Sequence, residues 1–219
     1  MPITKSKFFA GLDLGQAIDP SALVIIEKMT YVPTNREIFD NAGTSPPLPE
    51  PAYAIRHLER WLGVSYPDQV ARTKERLHKK PLSGNVTLSI DYTGCGRPVY
   101  DMFRVAKFAC PLVPILIHGG DHVTRDSGTF RVPKRDLIGV TQVLLQDERL
   151  KIAATLPDAQ VLVSEMQNFR VKINPATAHD SYAAWRENQH DDLIFATSMA
   201  LWLAEHESPP FQRIPLHGI

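Results

Sequence analysis

Short apolar blocks dominate the start of the chain and give way later to spacings of three and four, so the pattern opens as β and continues as mixed α/β. Phe8–Leu14 and Ala22–Met29 predict two strands joined by the turn-rich Gly15–Pro20, and Thr34–Asn41 predicts a third. The three would form a meander whose first strand carries Asp13 near its end. Thr44–Pro51 holds four prolines in eight residues and must be an extended crossover. Ile55, Leu58, Trp61 and Leu62 then recur at helical spacing, predicting a helix over Tyr53–Leu62, with another over Gln69–Leu77 beyond Pro67.

Val86–Ile90 is a short β-prone run that ends at Asp91, and Tyr92–Gly96 is a glycine-containing loop opening a helix near Pro98. Leu112–Ile117 predicts a buried strand. His118–Val132 is polar, with Gly119, Gly120 and Gly128, and predicts a loop or hairpin projecting from the sheet. Pro133 suits the start of a helix over Lys134–Leu145; Ala159–Phe169 and Asp191–His206 predict two more, the last with a broad apolar face. The expected organisation is one α/β domain over residues 1–206 and a tail over 207–219, without internal repeats.

Composition narrows the picture slightly. Hydrophobic residues are 43% and charged residues 22% of 219, as in an ordinary globular chain. Lys plus Arg equals Asp plus Glu at 24 each, so any nucleic-acid binding must rest on a local patch. Cys95 and Cys110 make neither a zinc set nor a disulfide framework and read as buried thiols in a reducing compartment. No apolar run approaches the roughly 18 residues of a membrane span, and the N-terminus lacks a signal-like apolar region. A cytoplasmic location, without a membrane partner, is the expectation.

Three acids stand where elements meet loops: Asp13, Asp91 and Asp191. Phosphodiester hydrolysis needs a hydroxide at neutral pH and a counter-charge for the leaving oxygen, and two divalent ions about 3.5–4 Å apart provide both. Mg²⁺ takes hard oxygen ligands and keeps several waters, so a few aspartates from distant parts of the chain suffice. Each acid alone also fits a cap or a turn, Asp191 or Asp192 at a helix N-terminus above all.

The order of acids and strands resembles the ribonuclease H-like superfamily, and the local wording resembles the nuclease domain of phage terminase large subunits. The matching pieces are Gly11-Leu12-Asp13-Leu14-Gly15 with Asp19-Pro20-Ser21-Ala22, Ile90-Asp91-Tyr92-Thr93-Gly94-Cys95-Gly96, Arg131-Val132-Pro133-Lys134-Arg135-Asp136-Leu137, and His190-Asp191-Asp192-Leu193. No one of them is specific alone; their order carries the resemblance, which spans roughly Phe8–Glu205. It implies a mixed sheet, an antiparallel three-strand meander plus parallel strands, flanked by helices. It implies catalytic acids Asp13, Asp91 and Asp191, which with Asp192 as the nearby alternative would hold two Mg²⁺ or Mn²⁺ ions. The implied activity is cutting of concatemeric viral DNA during packaging in the host cytoplasm. The implied partners are double-stranded DNA, a separate ATPase motor domain, a small terminase subunit and a portal.

Arg125, Arg131, Lys134 and Arg135 follow as DNA-phosphate contacts or as a solvated loop. Asp19 is either an acid near the site or a turn cap, and His190 either positions a water or phosphate or is structural. His118 and His122 flank Asp121 in a weak zinc-like run, and Glu165 reads as surface or core edge rather than as a fourth ligand. Three other readings compete. The Asp-Leu-Gly opening also resembles actin-like sugar kinases, yet no second phosphate loop or adenosine motif follows, and no Gly-x-x-x-x-Gly-Lys-[Ser/Thr] motor loop exists. A Holliday-junction resolvase has the same acid order. A catalytically silent packaging or assembly module would need none of these acids.

Overall fold

Alternation along the first strand sorts the helices between the two faces of the sheet. The computed structural model describes residues 3–15, 19–32, 49–94, 96–173, 180–184 and 191–207. Strand β1 spans Ile3–Asp13, and its Phe8, Ala10 and Leu12 enter one apolar core while Phe9 enters the other. Gly11 and Asp13 therefore share the face of Phe9.

Around β1 the sheet grows both ways. On one side β2 (Ser21–Val32) and β3 (Ala52–Trp61) complete an antiparallel meander, and the short β8 (Leu150–Ile152) adds in parallel to β3. On the other side β4 (Val86–Asp91), β5 (Leu112–His118) and β7 (Thr129–Pro133) run parallel to β1, with β6 (Thr124–Asp126) antiparallel at the edge. The order is β6-β7-β5-β4-β1-β2-β3-β8. Helices α1 (Tyr66–His78) and α2 (Gly96–Val105) cover the Leu12 face. Helices α3 (Lys134–Gln146), α4 (Ala159–Asn168) and α5 (Asp192–His206) cover the Phe9 face.

Helix α5 lies in the middle of its layer, and every residue from Asp192 to Ala204 is buried. That explains an apolar surface too wide for a one-sided helix. It lies so close to β1 that a Cβ on Gly11 would stand 1.9 Å from the carbonyl oxygen of Ala196. Ser198 and Thr141 share a buried 2.8 Å hydrogen bond that ties α5 to α3.

Most predicted elements are present, and one is of the wrong kind. Tyr53–Leu62 is not a helix: its core is β3, the third strand of the meander. The register between β2 and β3 shifts between Ile25 and Ile26, so that Ile55 and His57 face neighbouring residues of β2 and Arg56 is an extra, exposed residue. With that bulge, Ile55 and Leu58 fall on one face three residues apart, which imitates helical spacing. Trp61 enters the opposite core, and Leu62 is 66% exposed. The third strand expected at Thr34–Asn41 lies outside the described residues, as do Cys95, His190 and residues 208–219 of the tail. The hairpin expected in His118–Val132 is β6–β7, which extends the sheet edge. Neither β8 nor the separate antiparallel pair β9 (Phe169–Ile173) and β10 (Asp180–Ala184) was foreseen.

Candidate metal centre

Because β1, β4, β5 and β7 are parallel, their C-terminal ends share one edge of the sheet. Asp13 and Asp91 end β1 and β4 one residue beyond the paired Leu12 and Ile90. Val86, Leu88 and Ile90 point into the opposite core, so alternation turns Asp91, like Asp13, toward the α5 face. Helix α5 completes the group from above: Asp191 is its N-cap residue and Asp192 its first residue, 5% exposed.

Local hydrogen bonds fix the strand ends. The Thr93 N–H donates to Asp91 Oδ1 at 2.8 Å, and the Ile117 N–H donates to Thr93 Oγ1 at 3.0 Å, which clamps the loop after β4 to β5. A Cβ on Gly96 would lie 2.6 Å from the Asp91 carbonyl oxygen, so α2 starts hard against the acid. After β1, the Gly15 N–H donates to Ser21 Oγ at 3.0 Å, and Ser21 Oγ donates to Gln69 Oε1 at 2.9 Å. The turn that follows Asp13 is thereby anchored to α1.

Crowded carboxyls cannot all ionise without compensation. Burial, then Asp91, Asp192 and Asp191, push the Asp13 carboxyl well above the usual carboxylate range. Asp91 is raised too, chiefly by burial, while hydrogen bonds from Thr93 and from Asp13 oppose the rise. Asp13 and Asp91 are both raised and titrate jointly as a pair. Two cations supply the rest. Arg60 Nη2 donates to Asp192 Oδ2 at 2.8 Å. Lys134 is pulled down by burial and held up by Asp191, Asp13 and Asp91, and its Nζ lies 4.4 Å from the centre of the Phe195 ring.

Glu165, expected at the surface or the core edge, stands against the start of α5. Its Oε2 accepts the Ile194 N–H at 2.9 Å, and its Oε1 is buried without a hydrogen-bond partner. Burial raises it to about 8, against the Ile194 hydrogen bond and with a further push from Asp192. Arg60 and Glu165 both stand beside the acids, the first without a sequence expectation and the second expected at the surface or core edge. Arg60 was hidden by the mistaken helix, since only the bulged strand turns it toward α5. Glu165 carries no local signal, because its position depends on how α4 meets α5.

The remaining candidates are dispersed. Arg125 and Arg131 are exposed on the β6–β7 hairpin, with the Arg125 guanidinium 4.6 Å from the Phe130 ring centre. Arg135 is bound to Asp121 at 2.8 Å, which takes that acid from the His118–His122 run. His118 Nδ1 accepts the Gly120 N–H at 2.9 Å, a local turn contact. Asp19 is exposed in the turn before β2.

No protein-family model matches the chain, and no curated protein matches it by sequence. Among solved structures it is similar to the large terminase nuclease from thermophilic phage G20c, with a TM-score of 0.60 over 93% of this chain and 84% of that one, at 18% identity. The fold is ribonuclease H-like. In this ribonuclease H-like frame, the acids at the ends of β1 and β4 and at the head of α5 gather at one place although the sequence separates them widely.

Do these residues suit a divalent ion? Among the described residues no three acidic, histidine or cysteine side chains already form a cage. The acids are engaged with other partners, Asp13 with Asp91 and Asp192 with Arg60, and Lys134 stands close to the group. The donor chemistry nonetheless fits a hard cation. Every available ligand is a carboxylate oxygen, and Glu165 Oε1 is a buried acceptor with nothing to accept from.

Proposed function

We propose that the chain is a metal-dependent DNA endonuclease, similar in role to the terminase nuclease whose fold it has, and that it hydrolyses double-stranded DNA with two Mg²⁺ or Mn²⁺ ions. The observation that carries this reading is the convergence of Asp13 and Asp91 with the Asp191–Asp192 head of α5 at the C-terminal edge of the parallel strands. A buried set of acids in which Asp13 and Asp91 are both raised is costly for stability and is an arrangement that divalent charge would stabilise. Asp13, Asp91 and Asp191 would hold the ions, with Asp192 the alternative to Asp191. Bound there, two ions would supply a hydroxide and stabilise the leaving oxygen.

The chain's own groups have separate tasks. The Thr93 N–H fixes the Asp91 carboxyl at the end of β4, and Arg60 holds the head of α5 over the strands through Asp192. Arg125 and Arg131, exposed on the β6–β7 hairpin at the edge of the sheet, would bind DNA phosphates and so position the duplex without reading its sequence. Cutting of concatemeric DNA in the host cytoplasm, beside a separate motor, a small terminase subunit and a portal, is the wider setting we propose.

Plasmid cleavage with Mn²⁺ tests the reading. Wild-type protein is expected to linearise or nick the plasmid, and Asp91→Ala to lose nearly all of that activity. Unchanged cleavage by Asp91→Ala would remove the site from the reaction. A wild-type chain without cleavage in any divalent metal would favour the silent assembly module, and preference for four-way junctions over linear duplex would favour a resolvase.

A further inference from the structure

Lys134 is the first residue of α3 and follows directly on β7, so it emerges at the same sheet edge as Asp13 and Asp91. Its side chain is half-buried between the Phe195 ring, in the first turn of α5, and the carboxylates of Asp191, Asp13 and Asp91. The contiguous run Arg131 to Arg135 suggested a phosphate-binding cation, but Arg131 is exposed and Lys134 is turned inward. Arg60 is ion-paired with Asp192 and also acts on Glu165, whereas Lys134 is acted on by Asp191, Asp13 and Asp91.

We propose that Lys134 is an internal counter-ion that competes with divalent cations for these carboxylates and swings to a DNA phosphate when the ions enter. The inference rests on the metal-site reading above. An ammonium and a divalent ion repel each other at such distances, so each makes the other's place on the carboxylates less favourable. A lysine is suited to the exchange, because its charge is a point on a flexible four-carbon stem rather than a fixed planar fork. Arg60, paired with Asp192 at 2.8 Å, stays in place and keeps α5 seated during the exchange. The consequence is linkage: DNA that captures Lys134 raises the affinity for metal, and metal that displaces Lys134 raises the affinity for DNA by the same factor.

The test is calorimetric titration with Mn²⁺ of wild type, Lys134→Met, Lys134→Arg and Phe195→Leu without DNA, near neutral pH, and DNA binding in Ca²⁺. Lys134→Met is expected to bind Mn²⁺ on the order of tenfold more tightly and DNA more weakly, opposite changes that a merely structural residue would not produce. Lys134→Arg, which keeps the positive charge, should show none of this tightening. If Lys134→Met does not fold, Phe195→Leu decides, since loss of the ring loosens the ammonium and should tighten Mn²⁺ several-fold. Wild-type Mn²⁺ binding with no tightening in the folded variant overturns the counter-ion role and leaves the metal site standing. A wild type that binds no Mn²⁺ overturns the metal-site reading itself.

Discussion

Gly11 and Ala196 touch through the backbone: a Cβ at position 11 would lie 1.9 Å from the Ala196 carbonyl oxygen and 2.8 Å from its carbonyl carbon. This contact sets the depth of α5 on the sheet, and hence where Asp191 and Asp192 sit relative to Asp13. Gly11→Ala must displace a helix backbone, not a pliable side chain. It is expected to cost about 2 kcal/mol or more, the scale of core overpacking, and to weaken Mn²⁺ binding even where the protein still folds. Urea denaturation beside metal titration measures both.

Arg60 and Asp192 are unequal partners. Removing Asp192 leaves one cation among several acids, whereas removing Arg60 leaves a nearly buried carboxylate with its repulsion unopposed. In chelator, Arg60→Met should therefore destabilise more than Asp192→Asn, by about 2–4 kcal/mol against about 1 on the scale of broken buried pairs. The double variant should recover part of the loss. Equal losses in the two single variants would mean that the other acids do not bear on Asp192.

Glu165 gives the metal-free protein a pH dependence of definite sign. Its folded value of about 8 lies above its ordinary 4.5, so the folded state binds the extra proton between those limits. Stability in chelator is expected to fall as pH rises through that window, and Asp13, also raised, acts in the same direction. Glu165→Gln should flatten the slope and raise the denaturation midpoint near pH 8 more than near pH 5, the two sides of the window. Denaturant midpoints against pH in the two proteins measure this directly. Metal ions, which require the ionised carboxylates, should bind more tightly as pH rises and release protons as they do.

Much of the centre was legible because it obeys local rules. Asp13 and Asp91 each end an apolar strand beside a glycine-containing turn, and the cores that the two strands' apolar residues enter place both acids on one face. The pair at the head of α5 was legible as a helix start, though sequence could not choose between Asp191 and Asp192. The structure distinguishes their settings: Asp192 is buried on Arg60, and Asp191 acts most strongly on Lys134. What escaped was non-local. A single extra residue, Arg56, gave β3 a helical spacing and hid Arg60, and the three residues of β8 were too short to register. Glu165 meets α5 across a separation in sequence that no spacing rule spans. Lys134 was read with its basic neighbours, whereas the helix start after Pro133 turns it into the acids.

A half-buried glycine offers a control on stability unconnected with the site. A Cβ on Gly139, within α3, would meet no atom within 4 Å. Gly139→Ala should stabilise the fold by about 0.5–1 kcal/mol through helix propensity alone, with metal affinity unchanged. A loss of stability would mean that α3 needs a glycine there for a reason its surroundings do not contain.

The central claim is that Asp13, Asp91 and the head of α5 form one divalent-ion site. Crystals soaked in Mn²⁺, with anomalous diffraction collected, test it most directly. Anomalous peaks are expected among the carboxylates of Asp13, Asp91 and Asp191 or Asp192, with Lys134 withdrawn from them. Crystals saturated with Mn²⁺ in which the Asp13–Asp91 hydrogen bond persists and no peak lies between these side chains would contradict it.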